Sequence, residues 1–278
     1  MSNLNVLGEP VWGLLLIALI VMVSGFVQSS LGFGYAITSL AVMPMILETH
    51  SSHIVISLSG LPVLFMTACS YKLCVDWSEV RRTLLGAFFL LPVGLLLFSS
   101  LPQQQLSQVT GLAILFFVLL DHFKKEEKTM TSPPHWLSYL AGGISGFLAG
   151  AVSIGGPPVA TYALRRGWAP STFKSFVSSC LLLIASLKII GLFAAGFLQR
   201  DELFHAMWAV PFAIGGVLAG TAVSRYIKPQ LFRKIITVVL ILAASNLILN
   251  SSSSIHSRIS GDHSNDVFLT KSDLMAEK

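Results

Sequence analysis

The stretch AGAVSIGGPPVATYALRRG, residues 149–167, begins as apolar as a membrane helix, breaks at Gly155-Gly156-Pro157-Pro158, and ends in Arg165 and Arg166. Glycine permits unwound backbone and close approach by a ligand, while proline has no N–H to give to a helix. In apolar surroundings, polar backbone groups freed by such a break must find partners inside the protein or on a ligand. The break therefore directs attention to a buried polar site, with a tight interhelical turn as the other reading.

Working outward, the 278 residues are 54% hydrophobic, with a mean hydropathy of +0.75 and only 11% charged side chains. Soluble domains carry roughly 25% charged residues, so the chain reads as an integral membrane protein. Apolar segments occupy 11–31, 33–47, 54–70, 83–100, 106–120, 136–154, 157–164, 175–198, 203–223 and 235–249. A straight spanning helix needs roughly 20 residues, so 33–47 and 157–164 are expected to be half-helices or re-entrant pieces. The fold class expected is all-α and polytopic, with about eight full spans and two short broken elements. MSNLNVLGEP at the N-terminus lacks the basic region of a signal peptide and is expected to remain in the mature protein. Cys69, Cys74 and Cys180 have no metal-ligand spacing and read as small apolar residues.

Most of the 18 Lys and Arg fall in four connections. These hold Lys72, Arg81 and Arg82; Lys124, Lys125 and Lys128; Arg165, Arg166 and Lys174; and Arg225, Lys228, Arg233 and Lys234. With the N-terminus outside and every segment crossing, all four lie in the cytoplasm, as the positive-inside rule asks. The net charge of +5 then reflects topology, and no soluble basic patch suited to nucleic acid is expected.

The segments also repeat. SGFVQSSLGFG at 24–34 and SGFLAGAVSIG at 145–155 share Ser-Gly-Phe and a glycine ten residues after the serine, and a Pro-Gln step recurs at Pro102-Gln103 and Pro229-Gln230. Five segments in each half force the halves to insert with opposite orientation, the inverted-repeat plan of many secondary transporters. The expected organisation is a first transmembrane repeat at 1–120, a cytoplasmic linker at 121–135, a second repeat at 136–249, and a polar tail at 250–278 too poor in apolar residues to build a core. In both halves a Gly-rich break, Gly32-Phe33-Gly34 and Gly155-Gly156-Pro157-Pro158, precedes a short segment. Paired interruptions of this kind mark substrate sites, and an exposed half-helix N-terminus suits an anion.

The GGPP break, the following RRGW.P..F at 165–173, the matching break of the first half and GGVLAGTAVSRYIKPQLFRKIITVVLILAA at 215–244 resemble the TauE/SafE family of membrane transporters. The resemblance runs from about residue 11 to 249. It implies a secondary transporter that moves sulfite or organosulfonates across the bacterial cell membrane, and it is a poor guide to which anion is carried.

Lys188 is the one charged residue inside an apolar segment. Intramembrane charges cost at least roughly 2.5–3.5 kcal/mol and are functional candidates by default. No Asp or Glu falls within the segments as drawn, Glu48 at an edge coming nearest. A cation without a carboxylate suits an anionic substrate; the other reading is that Lys188 snorkels or pairs with backbone carbonyls. The candidate substrate site comprises Gly32, Gly34, Ser153, Gly155, Gly156, Pro157, Pro158 and Lys188.

Other signals read as structural. His50, His53 and His205 sit near segment ends, where capping or interfacial roles are expected. Ser145 in GISG invites an intramembrane serine protease, but no base lies in reach, and Gly142, Gly146 and Gly150, with Gly216, Gly220, Gly25 and Ser29, read as close helix packing. Pro44, Pro62, Pro92 and Pro211 are expected inside helices, and Trp12, Trp77, Trp136 and Trp168 near their ends. No phosphate-cradling P-loop pattern is present. The sequence thus predicts a transporter and not an enzyme, needing no metal or cofactor and binding no nucleic acid, with a small anion and the lipid bilayer as partners. An anion channel of the same architecture is the alternative, and the oligomeric state is open.

Overall fold

In a computed structural model of the chain, the described residues are 5–6, 9–71, 75–123 and 134–223, together with 241 and 245. Segment 235–249, apart from 241 and 245, most of the 121–135 linker and the 250–278 tail lie outside them. After a two-residue antiparallel pair, β1 (Asn5–Val6) and β2 (Glu9–Pro10), the described chain is helical. The helices are α1 (Val11–Leu31), α2 (Tyr35–Val42), α3 (Thr49–Ser70), α4 (Trp77–Ser100), α5 (Gln103–Phe123), α6 (Trp136–Val152), α7 (Gly156–Arg165), α8 (Pro170–Ala194) and α9 (Arg200–Val223). Among the described residues five helices, α1, α3, α4, α8 and α9, are long and apolar enough to cross a membrane, and Tyr35–Met45 and Trp136–Val152 are shorter apolar pieces. The chain is therefore an all-helical membrane protein.

Segment boundaries differ from hydropathy where polar residues begin a helix. Asp76 caps α4 by accepting from Ser78 N–H at 3.0 Å, and the Ser78 hydroxyl, donating at 2.8 Å, holds this exposed carboxyl below its ordinary pKa. The helix thereby starts six residues before the apolar run at 83 and takes in Glu79. Likewise α9 starts at Arg200 and takes in Glu202. Pro62, Pro92 and Pro211 lie inside helices as expected, whereas Pro44 falls in a 3₁₀ turn, Met43–Met45, between α2 and α3.

Hydrogen bonds define the two ends of the bundle. At one end Tyr71 Oη donates to Ser29 O (2.9 Å) and Lys174 Nζ to Tyr71 Oη (3.0 Å), gathering the close of α1 and α3 with the start of α8. Arg166 and His135 meet on Glu79 at this same end. At the other, Ser51 donates to Glu202 (3.0 Å) and Trp208 to Leu14 O (3.3 Å), gathering the starts of α1, α3 and α9. The pieces α6 and α7 thus form a hairpin with both outer ends at the first end, whereas the outer ends of α1–α2 lie at the second.

Small residues set the main packing. A side-chain carbon on Gly142 would fall on the Thr83 carbonyl, and one on Gly146 or Gly150 would stand 2.6 Å from the carbonyls of Ala87 or Leu91, so α6 lies against the backbone of α4. Gly216 meets the Met22 carbonyl and Gly25 that of Ala213 in the same way, closing α9 on α1. Between these pairs, α3 and α8 pack on each other. Outward, Leu15, Leu19, Phe88, Phe89, Leu96, Phe193 and Met207 are exposed, the surface a bilayer would cover.

Candidate functional site

The two breaks meet. Gly32 (φ 87°) and Gly34 (φ 119°) turn the chain between α1 and α2 in a left-handed geometry that costs a side chain about 1 kcal/mol or more. Gln28 spans that turn: its Nε2 donates to Gly32 O (3.0 Å) and its Oε1 accepts from Tyr35 N–H (3.2 Å). In the second break the left-handed residue is Ser153 (φ 58°), the sole non-glycine with positive φ among the described residues. Here Ser145 Oγ donates to Gly155 O at 2.5 Å, so that hydroxyl straps the break. A side-chain carbon on Gly156 would lie 3.3 Å from Phe33 Cβ, so one break rests directly on the other.

Between them lies a cavity of about 80 Å³. The first turn of α2 (Gly34, Tyr35, Ala36 and Ile37) and the start of α7 (Gly155 and Gly156) open onto it, as do Ser153 and Lys188. Two half-helix N-termini, each with partial positive charge, thus face one space with an ammonium beside it. Its volume compares with about 30 Å³ for each water in the liquid, so it admits a compact group. Because Pro157 and Pro158 carry no N–H, α7 supplies fewer amide donors than α2. These prolines line instead a separate, largely apolar groove of about 880 Å³ with Phe33, Leu140 and Leu164. Gly32 borders neither space; its carbonyl also accepts from Ser178 Oγ at 3.3 Å.

Lys188 is 2% exposed on α8, and its Nζ donates to Ser153 Oγ. The ammonium also lies 5.6 Å from the centre of the Phe98 ring. No carboxylate pairs with it among the described residues. The same Ser153 Oγ is 2.9 Å from His53 Nδ1, and His53 Nε2 is 3.1 Å from Thr110 Oγ1. His53, expected at a helix end in a capping role, is instead completely buried beside the site. The correction comes from α3 starting at Thr49, which carries His53 a turn into the bundle. Gln28 and Thr110 were likewise not singled out by sequence, since neither hydropathy nor motif marks a polar residue whose partners are distant in the chain.

A second correction concerns carboxylates. Glu79 and Glu202 are both buried inside helices, at 1% and 7% exposure. Glu79 Oε1 takes Arg82 (2.5 Å), Arg166 (2.5 Å) and His135 (2.9 Å), and its Oε2 accepts from Tyr162 Oη (2.6 Å). Arg166 belongs to the RRGW stretch and stacks near Tyr162 and Trp168, 5.4 and 5.9 Å from their centres. These partners neutralise the charge, which hydropathy along one segment does not register.

Residues 17–247 match the family described as Sulfite exporter TauE/SafE. The chain belongs to that family. Among curated proteins, the probable inner membrane transporter protein TsaS of Comamonas testosteroni is 27% identical over 176 residues, 62% of this chain and 72% of that protein. No solved structure matches. As a TauE/SafE member with several apolar helices, the chain is a multi-pass inner-membrane protein of the transporter class.

Proposed function

We propose that this TauE/SafE protein is a secondary transporter for a small anion, a sulfur oxyanion or organosulfonate such as sulfite. The cavity between the breaks is its binding site, and Lys188 supplies the cationic charge. The observation that carries this reading is that two half-helix N-termini and a buried ammonium without a carboxylate partner among the described residues face one compact space. A protonated lysine there lowers the cost of removing an anion from water, and the helix ends add to it. Gly32, Gly34, Gly155 and Gly156 shape the backbone, while Ser153 orients the ammonium.

The breaks belong to two inverted repeats, divided as 1–120 and 136–249 around a cytoplasmic linker. Supporting this, α2 and α7 begin 121 residues apart, at 35 and 156, as do α3 and α8 at 49 and 170. The packing of α1 on α9 is mirrored by that of α6 on α4. Rocking of one helix set on the other would expose the cavity to each side in turn.

Reconstitution into liposomes tests the assignment. Sulfite loaded inside should leave with saturable kinetics, compete with small sulfonates, and carry no channel-like unitary current. Gly156→Leu, which pushes a side chain against Phe33, should abolish flux while the protein stays monodisperse and folded. Flux retained in that variant would remove the cavity from the pathway, and unitary currents would make the protein a channel.

A further inference from the structure

Ser153 Oγ accepts a hydrogen bond from Lys188 and touches a histidine, and the chemistry of that junction has a direction. Lysine has donors only, so Ser153 Oγ must accept from Lys188. The serine hydrogen is then free to go to His53 Nδ1 at 2.9 Å, which requires that nitrogen to be bare. The ring proton then sits on Nε2 and is donated to Thr110 Oγ1 at 3.1 Å. The result is a one-way chain, Lys188 to Ser153 to His53 to Thr110, complete with a neutral imidazole.

Protonating His53 breaks that order. Nδ1–H would then share the serine oxygen with Lys188, and two cations would stand side by side inside the bundle. No carboxylate touches either group among the described residues. An anion beside Lys188 removes that objection, because it balances the second charge. Ser153 Oγ, with two lone pairs, accepts from both the ammonium and the imidazolium.

Resting on the anion-site reading above, we propose that His53 is a positioning residue that couples anion binding to uptake of one proton. His53 acts through Ser153 and does not itself line the cavity. The anion and a proton from the same aqueous side load together, the proton bonding to Nδ1 with no other bond made or broken. The reciprocal rule of linkage then requires acid to tighten anion binding as much as the anion favours protonation.

The groups facing His53 are few. Its own helix carries Glu48 at the cap and His50, whose Nε2 lies 3.3 Å from Phe98 O. On α8 the facing group is Lys188, and α2 brings Tyr35, bonded to Ser59 at 2.8 Å. Packed on α3, α9 brings Glu202, held by Ser51 and Gln199 N–H, and His205. From α4, α5 and α6 come the uncharged Phe98, Thr110 and Ser153.

The test uses the purified full chain and methanesulfonate, whose charge does not change between mildly acid and mildly alkaline pH. Binding to the unaltered protein should strengthen as pH falls, approaching tenfold per pH unit where one proton is taken up. Adding methanesulfonate in weak buffer should withdraw close to one proton per site from solution. His53→Asn keeps an acceptor for the Ser153 hydroxyl and cannot titrate, so its binding should lose the pH slope. A slope retained in His53→Asn assigns the proton elsewhere and overturns the role of His53. Should that variant not fold, absence of proton uptake by the unaltered protein overturns it equally. Failure of the underlying reading looks different: methanesulfonate would not bind the unaltered protein, or Lys188→Met would bind it as well as the unaltered protein does.

Discussion

Two buried polar clusters stand at different levels of the bundle and solve the problem of charge in opposite ways. Around Glu79 the anion is oversupplied with partners: two guanidiniums, a histidine and a tyrosine converge on its two oxygens. Around Lys188 the cation has a serine hydroxyl and an aromatic ring. Removing ions from water costs several kcal/mol each, and only well-placed opposite charge repays it. A cluster complete in itself ties helices together. The other, with no carboxylate among the described residues, is the one the proposed function assigns to the substrate.

The largest effect should come from the complete cluster. Glu79→Gln leaves Arg82 and Arg166 facing each other and should cost about 3 kcal/mol of stability, in the lower range for breaking a buried pair. Unfolding in detergent measures it. A variant as stable as the original would mean that the guanidiniums are satisfied by water, and the contrast between the clusters would collapse.

Lys188→Met should do the reverse. It removes a charge that has no paired carboxylate among the described residues, so stability should hold or rise, while anion affinity falls by about 1.5–3 kcal/mol, the range for hydrogen bonds to charged groups. Arginine at this position should restore part of the loss, since it keeps the charge with a different donor geometry. Side-by-side melting and binding curves check both halves of the statement. Equal destabilisation by Glu79→Gln and Lys188→Met, with binding intact, would make the two clusters the same kind of object.

The smallest effect should follow Ser153→Gly. Relief of the left-handed backbone gains about 1 kcal/mol, which offsets the lost hydroxyl contacts. Stability should therefore change by less than about 1 kcal/mol, with affinity lowered several-fold because Lys188 loses the group that orients it. Unchanged affinity would show that the lysine is placed by packing alone.

Much of this was legible along the chain. The apolar segments, the short pieces after each break and the close packing at Gly142, Gly146 and Gly150 follow from hydropathy, from the backbone chemistry of Gly and Pro, and from the absence of side chains. The repeat pointed to matching breaks, and the structure presses Gly156 against Phe33. Less visible was where helices start. A hydropathy window stops at charge, yet Asp76 begins α4 early enough to bury Glu79, whose partners come from residues 135, 162 and 166.

The sequence by itself determined that this is a helical membrane protein of the TauE/SafE family, interrupted at two glycine-rich points, with a lysine in an apolar run. Those properties are local, set by hydrophobicity and backbone freedom over a few turns. Tertiary structure decided which buried charge is neutralised and which has no carboxylate partner among the described residues. His53 and Thr110 carry no signal in the sequence until α3, α5, α6 and α8 set His53 between Ser153 and Thr110, about 3 Å from each, with Lys188 on the same serine. Electrostatic balance in a membrane depends on such distances in space, and no spacing along the chain encodes them.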